Sequence, residues 1–413
     1  MTTSRNKAEC RICGEGQTLS PVHTFGMQPV AGYLEGTIEE ARRAPRFENA
    51  IGMCMRCCLV QQANDDASSI LAERVYATYQ RTYSMSKKVS SYLDEFLSQA
   101  LSVAAVAPGD SVVEIGSNDG SLLHLVADRD FRAFGFDPSG SDEQTATVQV
   151  IRDFFTEETA SAFAATNGSV KLVVSRHTLE HAFQPLDFFR GVREVLASDG
   201  RAVVEVPYVV HQIMNNQFQS FTFQHVSFFS VHSMLAAAGR AGLAIDNIKF
   251  VEMDGGSIVV VLRRVDHESK TAAAVQSLLD FERTLGYATP EVYVDYFNAF
   301  GREKAKIHSV IDEMNRRGIS VVGYGAGSKG QAMVNMLELG PERIAAVVDD
   351  THGVAGKFIP GSCLAVVAAD EAVLTDACVF VTAPTHAKEI VAKQRQARDG
   401  GVYLCTIPRF CWL

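Results

Sequence analysis

Hydrophobic residues between about residues 86 and 266 change from a helical spacing to short continuous runs. Val89, Leu93 and Leu97 share one helical face, which predicts an amphipathic helix that ends before the Pro-Gly pair at 108–109. Apolar runs separated by helical stretches then follow at 111–116, 132–136, 171–175 and 201–206. This alternation predicts a parallel sheet with crossover helices. Two later runs, about 244–252 and 257–263, leave no room for a helix and predict an antiparallel edge hairpin.

The last third of the chain repeats the pattern on a smaller scale. Residues 267–318 are largely helical in pattern, with a break at 286–290 that indicates a domain joint. A strand, a glycine-rich turn and a helix start follow over 319–330. Further strands are predicted at about 344–348, 378–382 and 402–406. The sequence therefore predicts an α/β protein with a second, smaller Rossmann-like layer.

The amino-acid composition and charge exclude several classes of protein. The 413 residues are 47% hydrophobic and 21% charged, which is typical of a globular chain with its own core. The formal net charge of −10, without a block of Lys or Arg, argues against sequence-independent nucleic-acid binding. No apolar run is long enough to span a membrane, and the first ten residues lack the apolar stretch of a secretory signal. We expect a cytoplasmic protein without a membrane or nucleic-acid partner.

Five of the nine cysteines lie in the first 58 residues. Cys10 with Cys13, and Cys54 with Cys57, form two C-x-x-C pairs, a spacing that lets four thiolates converge on one Zn²⁺. Cys58 is the spare thiol because the pair spacing selects Cys57. We predict a structural zinc site, since four thiolates leave no open coordination position for catalysis. The alternative is a set of buried free cysteines.

A glycine turn follows the first predicted strand of the central sheet. Gly116 and Gly120 have a G-x-x-x-G spacing, which favours S-adenosyl-methionine (SAM) over a dinucleotide pyrophosphate. Asp137 stands 21 residues after Gly116, at the end of the next strand, where an acid can hold ribose hydroxyls. Glycine in a tight strand–helix turn can also be purely steric. The predicted cofactor site comprises Glu114, Gly116, Asn118, Asp119, Gly120, Asp137, Pro138 and His177.

Three histidines are candidates for chemistry. His177 and His181 flank Glu180 after the strand at 171–175, at the sheet edge where doubly wound folds bind ligands. His225 lies among aromatic residues in segment 221–229, and a near-neutral imidazole in an apolar pocket suits proton abstraction. The alternative for each is a structural histidine bonded to the backbone.

The second glycine turn, in residues 323–330, admits two interpretations. A G-x-G followed by an acid about 24 residues later is compatible with NAD. However, the third glycine of that fingerprint is displaced, and Lys329 stands at the helix start, which makes a general anion site. A phosphate-bearing substrate fits at least as well, with Tyr324, Ser328 and Lys329 as its candidate contacts.

The order of these motifs resembles the three-domain sugar C-methyltransferases that act on nucleotide-linked keto-deoxysugars. The resemblance covers nearly the whole chain and implies three domains. These are a zinc-binding module at 1–72, a SAM-binding class I methyltransferase core at 73–266, and a Rossmann-like domain at 267–413 that frames the substrate. The implied reaction removes a proton beside the ketone, and the resulting enolate attacks the methyl group of SAM.

The resemblance also implies catalytic residues. The family's Tyr-His-Glu-His-x-Ser-Tyr-Phe-Ser segment aligns with residues 222–230, which makes His225 the base and Gln224 the replacement for glutamate. His181, Tyr76 and Tyr79 are candidates to steady the developing oxyanion. Thr222 replaces the family tyrosine, and Asp254 replaces the histidine of a His-Gly-Gly-Ser turn. Gln cannot exchange a proton, which leaves two alternatives open: an O- or N-methyltransferase on the same scaffold, or a descendant that does not methylate.

Overall fold

The computed structural model describes residues 9–76, 87–140, 144–265, 272–369, 377–397, 402–406 and 411–412. Tyr79 lies outside these residues. The described chain builds three β-sheets. Among the described residues, no helix combines the length and the apolar character that crossing a bilayer requires.

The N-terminal sheet is antiparallel and reaches into the centre of the chain. Its own strands and helices are β1 (Glu9–Cys10), β2 (Gly14–Pro29), α1 (Ile38–Arg43), β3 (Arg46–Cys54), β4 (Val60–Gln62) and α2 (Ser68–Ile70), which continues as a π-helical turn, Leu71–Tyr76. Strand β4 pairs antiparallel with Ser227–Phe228, a short strand that follows His225 by two residues. The cysteine-bearing segment therefore supports the segment that carries His225.

The central sheet has the predicted topology. Its elements are α3 (Lys87–Ala104), β5 (Ser111–Ile115), α4 (Ser121–Ala127), β6 (Arg132–Phe136), β7 (Val148–Ile151), α5 (Glu157–Asn167), β8 (Val170–Arg176), α6 (Pro185–Val195), β9 (Leu196–Pro207), α7 (Val209–Met214), β10 (Ser227–Phe228, shared with the N-terminal sheet), α8 (Val231–Arg240), β11 (Leu243–Val251) and β12 (Ser257–Arg264). The sheet order is β11-β12-β9-β8-β5-β6-β7. Strands β5 to β9 are parallel, and β11 and β12 form the antiparallel edge hairpin. The class I methyltransferase fold is confirmed.

Strand β7 is absent from the runs that the sequence analysis identified. It is four residues long, and its buried Val148 and Val150 alternate with partly exposed residues. Such a short, half-buried edge strand gives no continuous apolar run. Its omission matters because the residues that follow it reach the candidate site.

The C-terminal sheet is smaller and mostly parallel. Its elements are α9 (Ala273–Thr284), α10 (Glu291–Arg316), β13 (Val321–Tyr324), α11 (Ser328–Met336), β14 (Val347–Asp349), β15 (Val366–Ala368), β16 (Cys378–Val381), α12 (Ala387–Ala397), β17 (Val402–Cys405) and β18 (Cys411–Trp412). The order β15-β14-β13-β16-β17-β18 places β13 at the centre, as in a Rossmann-like layer. Strands β15 and β18 add to those expected from the sequence. The domain boundaries stay predictions. Val275 and Leu279 of α9, which those boundaries assign to the C-terminal domain, share a buried core with the central sheet.

Candidate functional site

The carboxyl ends of the two parallel sheets open onto one cavity. Its volume is about 1470 Å³, above the roughly 300–1,000 Å³ usual for a small-molecule site. Segments that follow strands β5, β6 and β8 line one side, and segments that follow β13, β14 and β16 line the other. The cavity therefore has room for two ligands, one against each sheet.

The glycine turn after β5 forms one end of the cavity. Gly116 has φ of +79°, and a Cβ there would lie 2.1 Å from the Thr178 hydroxyl oxygen, so this position requires glycine. Asp137 accepts hydrogen bonds from the backbone N–H of Asn118, at 2.9 Å, and from the Ser139 N–H and hydroxyl, at 2.8 and 2.7 Å. The carboxylate is thereby held beside the turn. This geometry suits an acid that binds a ribose diol.

Not all of the predicted cofactor residues reach the cavity. Gly116, Asn118, Asp137, Pro138 and His177 line it. Glu114, Asp119 and Gly120 are not among the described lining residues. The Glu114 side chain is buried, and this burial raises the pKa of its carboxyl well above the usual value.

Three lining residues that the sequence analysis missed follow the unrecognised strand β7. Asp153, Phe154 and Phe155 line the cavity on the side formed by the central sheet. Phe154 is 54% exposed, which is unusual for a large apolar side chain and makes it a candidate stacking surface for a ligand. Recognition of β7 would have placed these residues at the ligand-binding edge.

A buried charge network lies beneath the cofactor end. Arg176 Nε is 2.6 Å from Glu205 Oε2, and His177 Nε2 is 3.2 Å from Glu205 Oε1. His177 Nδ1 is 3.3 Å from Glu180 Oε1. Burial by itself lowers the His177 pKa, but the two carboxylates outweigh it and raise that pKa to about 10. His177 is therefore an imidazolium held between two carboxylates.

His181 and His225 meet in the middle of the cavity. Their ring centroids are 5.0 Å apart with the rings nearly perpendicular. The backbone carbonyl of Gln224 accepts a hydrogen bond from His181 Nδ1, at 2.7 Å, and another from the Tyr76 hydroxyl, at 3.1 Å. Burial, then the charge of His181, lowers the His225 pKa to about 3. His225 is consequently a neutral imidazole at physiological pH.

The Gln224 side chain points away from this pair. Its Nε2 donates to the Ala31 carbonyl at 3.2 Å, which ties the His225 segment to the N-terminal part of the chain. Gln224 thus contributes to the site through its backbone carbonyl, which side-chain reasoning from the sequence did not anticipate.

Of the three residues predicted to bind substrate, two line the cavity and one is not among its described lining residues. Ser328 and Lys329 line the cavity, and Lys329 Nζ lies 2.9 Å from Asp254 Oδ1 of the central part. Tyr324 is not among the described lining residues. This residue ends β13 on the face that packs against α12, and its hydroxyl donates to Asp350 at 3.1 Å. The side-chain direction at a strand end depends on the face of the sheet, which the motif alone does not reveal.

The four predicted metal ligands converge near the N-terminus. The sulfur atoms of Cys10, Cys13, Cys54 and Cys57 all lie within 4.8 Å of one another. The Cys10–Cys57 and Cys13–Cys54 sulfur distances are 3.4 and 4.0 Å. Tetrahedral Zn–S bonds of about 2.3 Å place sulfurs about 3.8 Å apart, so the donor set fits zinc. Cys58 lies apart, with its sulfur 3.5 Å from the Ala288 carbonyl.

Two family models and one curated relative match this chain. The family model described as the C-methyltransferase C-terminal domain matches residues 252–408, and a methyltransferase domain model matches residues 80–248. The C-methyltransferase NovU of Streptomyces niveus is 29% identical over 406 residues, which is 97% of this chain and 95% of that protein.

Two solved structures illustrate weaker similarities. A Burkholderia thailandensis 1,6-didemethyltoxoflavin-N1-methyltransferase, solved with S-adenosylhomocysteine, is 11% identical with a TM-score of 0.35, over 50% of this chain and 96% of that one. The N-methyltransferase NodS of Bradyrhizobium japonicum is 13% identical with a TM-score of 0.31, over 43% and 96%.

The two family matches are consecutive and together account for most of the chain beyond the N-terminal sheet. The methyltransferase domain match covers the glycine turn and the His181–His225 pair, and the C-terminal domain match covers Asp254 and Lys329, which also line the cavity. With the NovU similarity over nearly the full length, they show that the protein is a SAM-dependent methyltransferase that is similar to C-methyltransferases.

Proposed function

We propose that the protein methylates the carbon beside the ketone of a nucleotide-linked keto-deoxysugar, with His225 as the base. The observation that carries this proposal is the neutral His225 imidazole facing His181 in a cavity large enough for both reactants. SAM, when bound, supplies an electrophilic methyl group on sulfur. The residues of this chain must remove the proton, steady the enolate and exclude water.

The two histidines suit different parts of that task. His225 has a free base form at physiological pH because burial lowers its pKa to about 3. A negative charge that develops on the neighbouring enolate opposes that effect and makes proton transfer to His225 less costly. His181 keeps Nδ1 on the Gln224 carbonyl, so its Nε2 can donate to the enolate oxygen when the ring is protonated.

The choice of a nucleotide-linked sugar is supported by the second glycine turn, whose Ser328 and Lys329 line the same cavity. Lys329 stands in the first turn of α11 and lines the cavity beside Ser328, with its ammonium group paired to Asp254, another lining residue. A cation at a helix N-terminus suits the phosphates of a nucleotide. An acceptor bound in this cavity could place its phosphates at Lys329 and its reacting carbon at His225.

Deuterium exchange tests the proposed role of His225. The enzyme is incubated in heavy water with a nucleotide-linked keto-deoxysugar and S-adenosylhomocysteine, so that no methyl transfer occurs. The wild type should introduce deuterium beside the ketone, as measured by NMR. His225→Ala should reduce both exchange and methyl transfer by about 10²–10⁴-fold, the usual effect of a general base. His352→Ala, on an exposed loop, is the matched control and should retain both.

Two results would contradict the proposal. One is near-normal methyl transfer by the His225→Ala variant. The other is a product whose new methyl group is on oxygen or nitrogen, which would indicate that no carbon acid is deprotonated.

We also propose that the four-cysteine cluster binds one structural Zn²⁺. The sulfur distances fit a tetrahedral site, and the ligands come in pairs from the β1–β2 turn and from the end of β3 with the turn that follows it. Strand β4 follows the second pair directly, and its Gln62 holds the Thr222 segment through two hydrogen bonds: Gln62 N–H to the Val226 carbonyl and Nε2 to the Thr222 carbonyl. The metal would therefore hold the support on which the His225 segment rests.

A further inference from the structure

Two neighbouring polar side chains in the cavity wall lack partners among the described residues. Gln219 and Ser220 both line the cavity, and their exposed fractions are 0% and 1%. Within the part of the chain that the structure describes, neither polar end of the Gln219 carboxamide, nor the Ser220 hydroxyl, forms a hydrogen bond. Buried polar groups are nearly always paired, because an unpaired one lowers stability. Such a pair in a ligand cavity calls for an explanation.

Packing holds these side chains in place. They belong to a 3₁₀ turn, Phe218–Ser220, whose flanking Phe218 and Phe221 are fully buried in two different hydrophobic cores. Aromatic anchors on both sides fix the direction of the turn.

The residues on either side of the turn in the chain, Gln217 and Thr222, also line the cavity. On one side, Gln217 Nε2 donates to the Gly255 carbonyl, next to Asp254, which pairs with Lys329. On the other side, the chain continues within six residues to His225. Gln219 and Ser220 therefore share the cavity with Lys329 and His225.

We propose that Gln219 and Ser220 bind the neutral, hydroxyl-bearing ring of the acceptor. A carboxamide offers a donor and an acceptor side by side, and a hydroxyl offers both on one atom, which matches the hydroxyl groups of a sugar. Neither residue carries the charge that a phosphate would require. This subsite deepens the proposed function and rests on it.

The variants Gln219→Leu and Ser220→Ala test the subsite. Calorimetry would compare two probes on SAM-analogue-loaded enzyme: thymidine diphosphate alone, and thymidine diphosphate linked to 4-keto-6-deoxyglucose. The wild type should bind the sugar-bearing probe more tightly. In Gln219→Leu that advantage should fall about 10-fold, the effect of losing two neutral hydrogen bonds, while the affinity for thymidine diphosphate stays unchanged.

Stability in the absence of ligand provides the second readout. Removal of an unpaired buried amide should leave the melting temperature of the free protein unchanged or raised, so binding and stability should move in opposite directions. Gln212→Leu is the matched control, because Gln212 is 2% exposed with an unpartnered side-chain oxygen but is not among the described lining residues. The Gln212→Leu variant should keep the wild type's tighter binding of the sugar-bearing probe relative to thymidine diphosphate.

The outcomes separate this inference from the proposed function. If the wild type gains affinity from the sugar and both variants keep that gain, the subsite is refuted and the proposed function stands. The subsite is likewise refuted if the variants lose affinity for thymidine diphosphate equally. If the wild type gains nothing from the sugar, the proposed acceptor is wrong and the subsite falls with it. Ser220→Ala decides the matter if Gln219→Leu does not fold.

Discussion

Replacement of His177 by asparagine should change how the stability of the central sheet depends on pH. His177 is held between Glu180 and Glu205, and its backbone has φ of +49°. Asparagine tolerates this left-handed conformation better than most residues, so His177→Asn removes the imidazolium with little added backbone strain. The variant should be less stable than the wild type near neutral pH, because two buried carboxylates lose a partner.

The magnitude follows from the raised pKa. The pKa of His177 is about 10 in the folded protein against an ordinary value of 6.5. A raised pKa contributes stability that is complete below the unfolded value and is lost as pH rises through the folded value. Between pH 7 and pH 9, the deprotonation of His177 should lower the free energy of unfolding of the wild type by about 2–3 kcal/mol. The variant lacks the titrating group and should not show that loss.

Urea unfolding at several pH values checks this expectation. Hydrogen exchange of the β8 amides would follow the central sheet separately from the other two sheets. His386→Asn is the matched control, since His386 forms an exposed pair with Glu389 in which both side chains are more than half exposed. Exposed pairs contribute little to stability. Parallel pH dependences for the wild type and His177→Asn would refute the assignment of a buried imidazolium.

Three further predictions concern zinc, cofactor binding and packing. Cys54→Ser should lose the bound zinc and Cys58→Ser should keep it, as measured by metal analysis; absence of zinc from freshly purified wild type would refute the site. Asp137→Ala should weaken SAM binding by about 1–3 kcal/mol in calorimetry, and an unchanged affinity would exclude Asp137 from the cofactor site. Glu282→Gln should lower the free energy of unfolding by about 2–4 kcal/mol without changing SAM affinity, because the buried carboxylate accepts from the Tyr208 hydroxyl and from the first amides of α8. A stability equal to that of the wild type would show that this carboxylate does not support α8.

Local sequence patterns were sufficient for the outline of the central and C-terminal sheets. The alternation of apolar runs and helical stretches predicted the parallel sheet, and the short connection at 253–256 predicted the edge hairpin. The C-x-x-C pairs and the glycine turn followed by Asp137 also identified groups that the fold brings to their expected places. These features are recoverable because each depends on spacing within one or two elements.

The composition of the cavity wall needed the tertiary structure. The Lys329–Asp254 pair joins residues 75 positions apart, and the tie between Gln224 and Ala31 spans 193 positions. Tyr324 belongs to the same motif as Lys329, yet it faces the opposite side of its sheet. Strand β7 and the lining residues after it were not predicted, because a strand of four residues is too short to show a clear hydrophobic periodicity.

The sequence by itself determined which elements form and which chemical groups stand at their ends, because periodicity and turn chemistry act over a few residues. Only the tertiary structure decided which of those groups share a cavity, which buried polar atoms of the described residues lack a partner, and which histidine is neutral. Those properties depend on burial and on charges from distant segments, and both exist only once the three sheets are packed together.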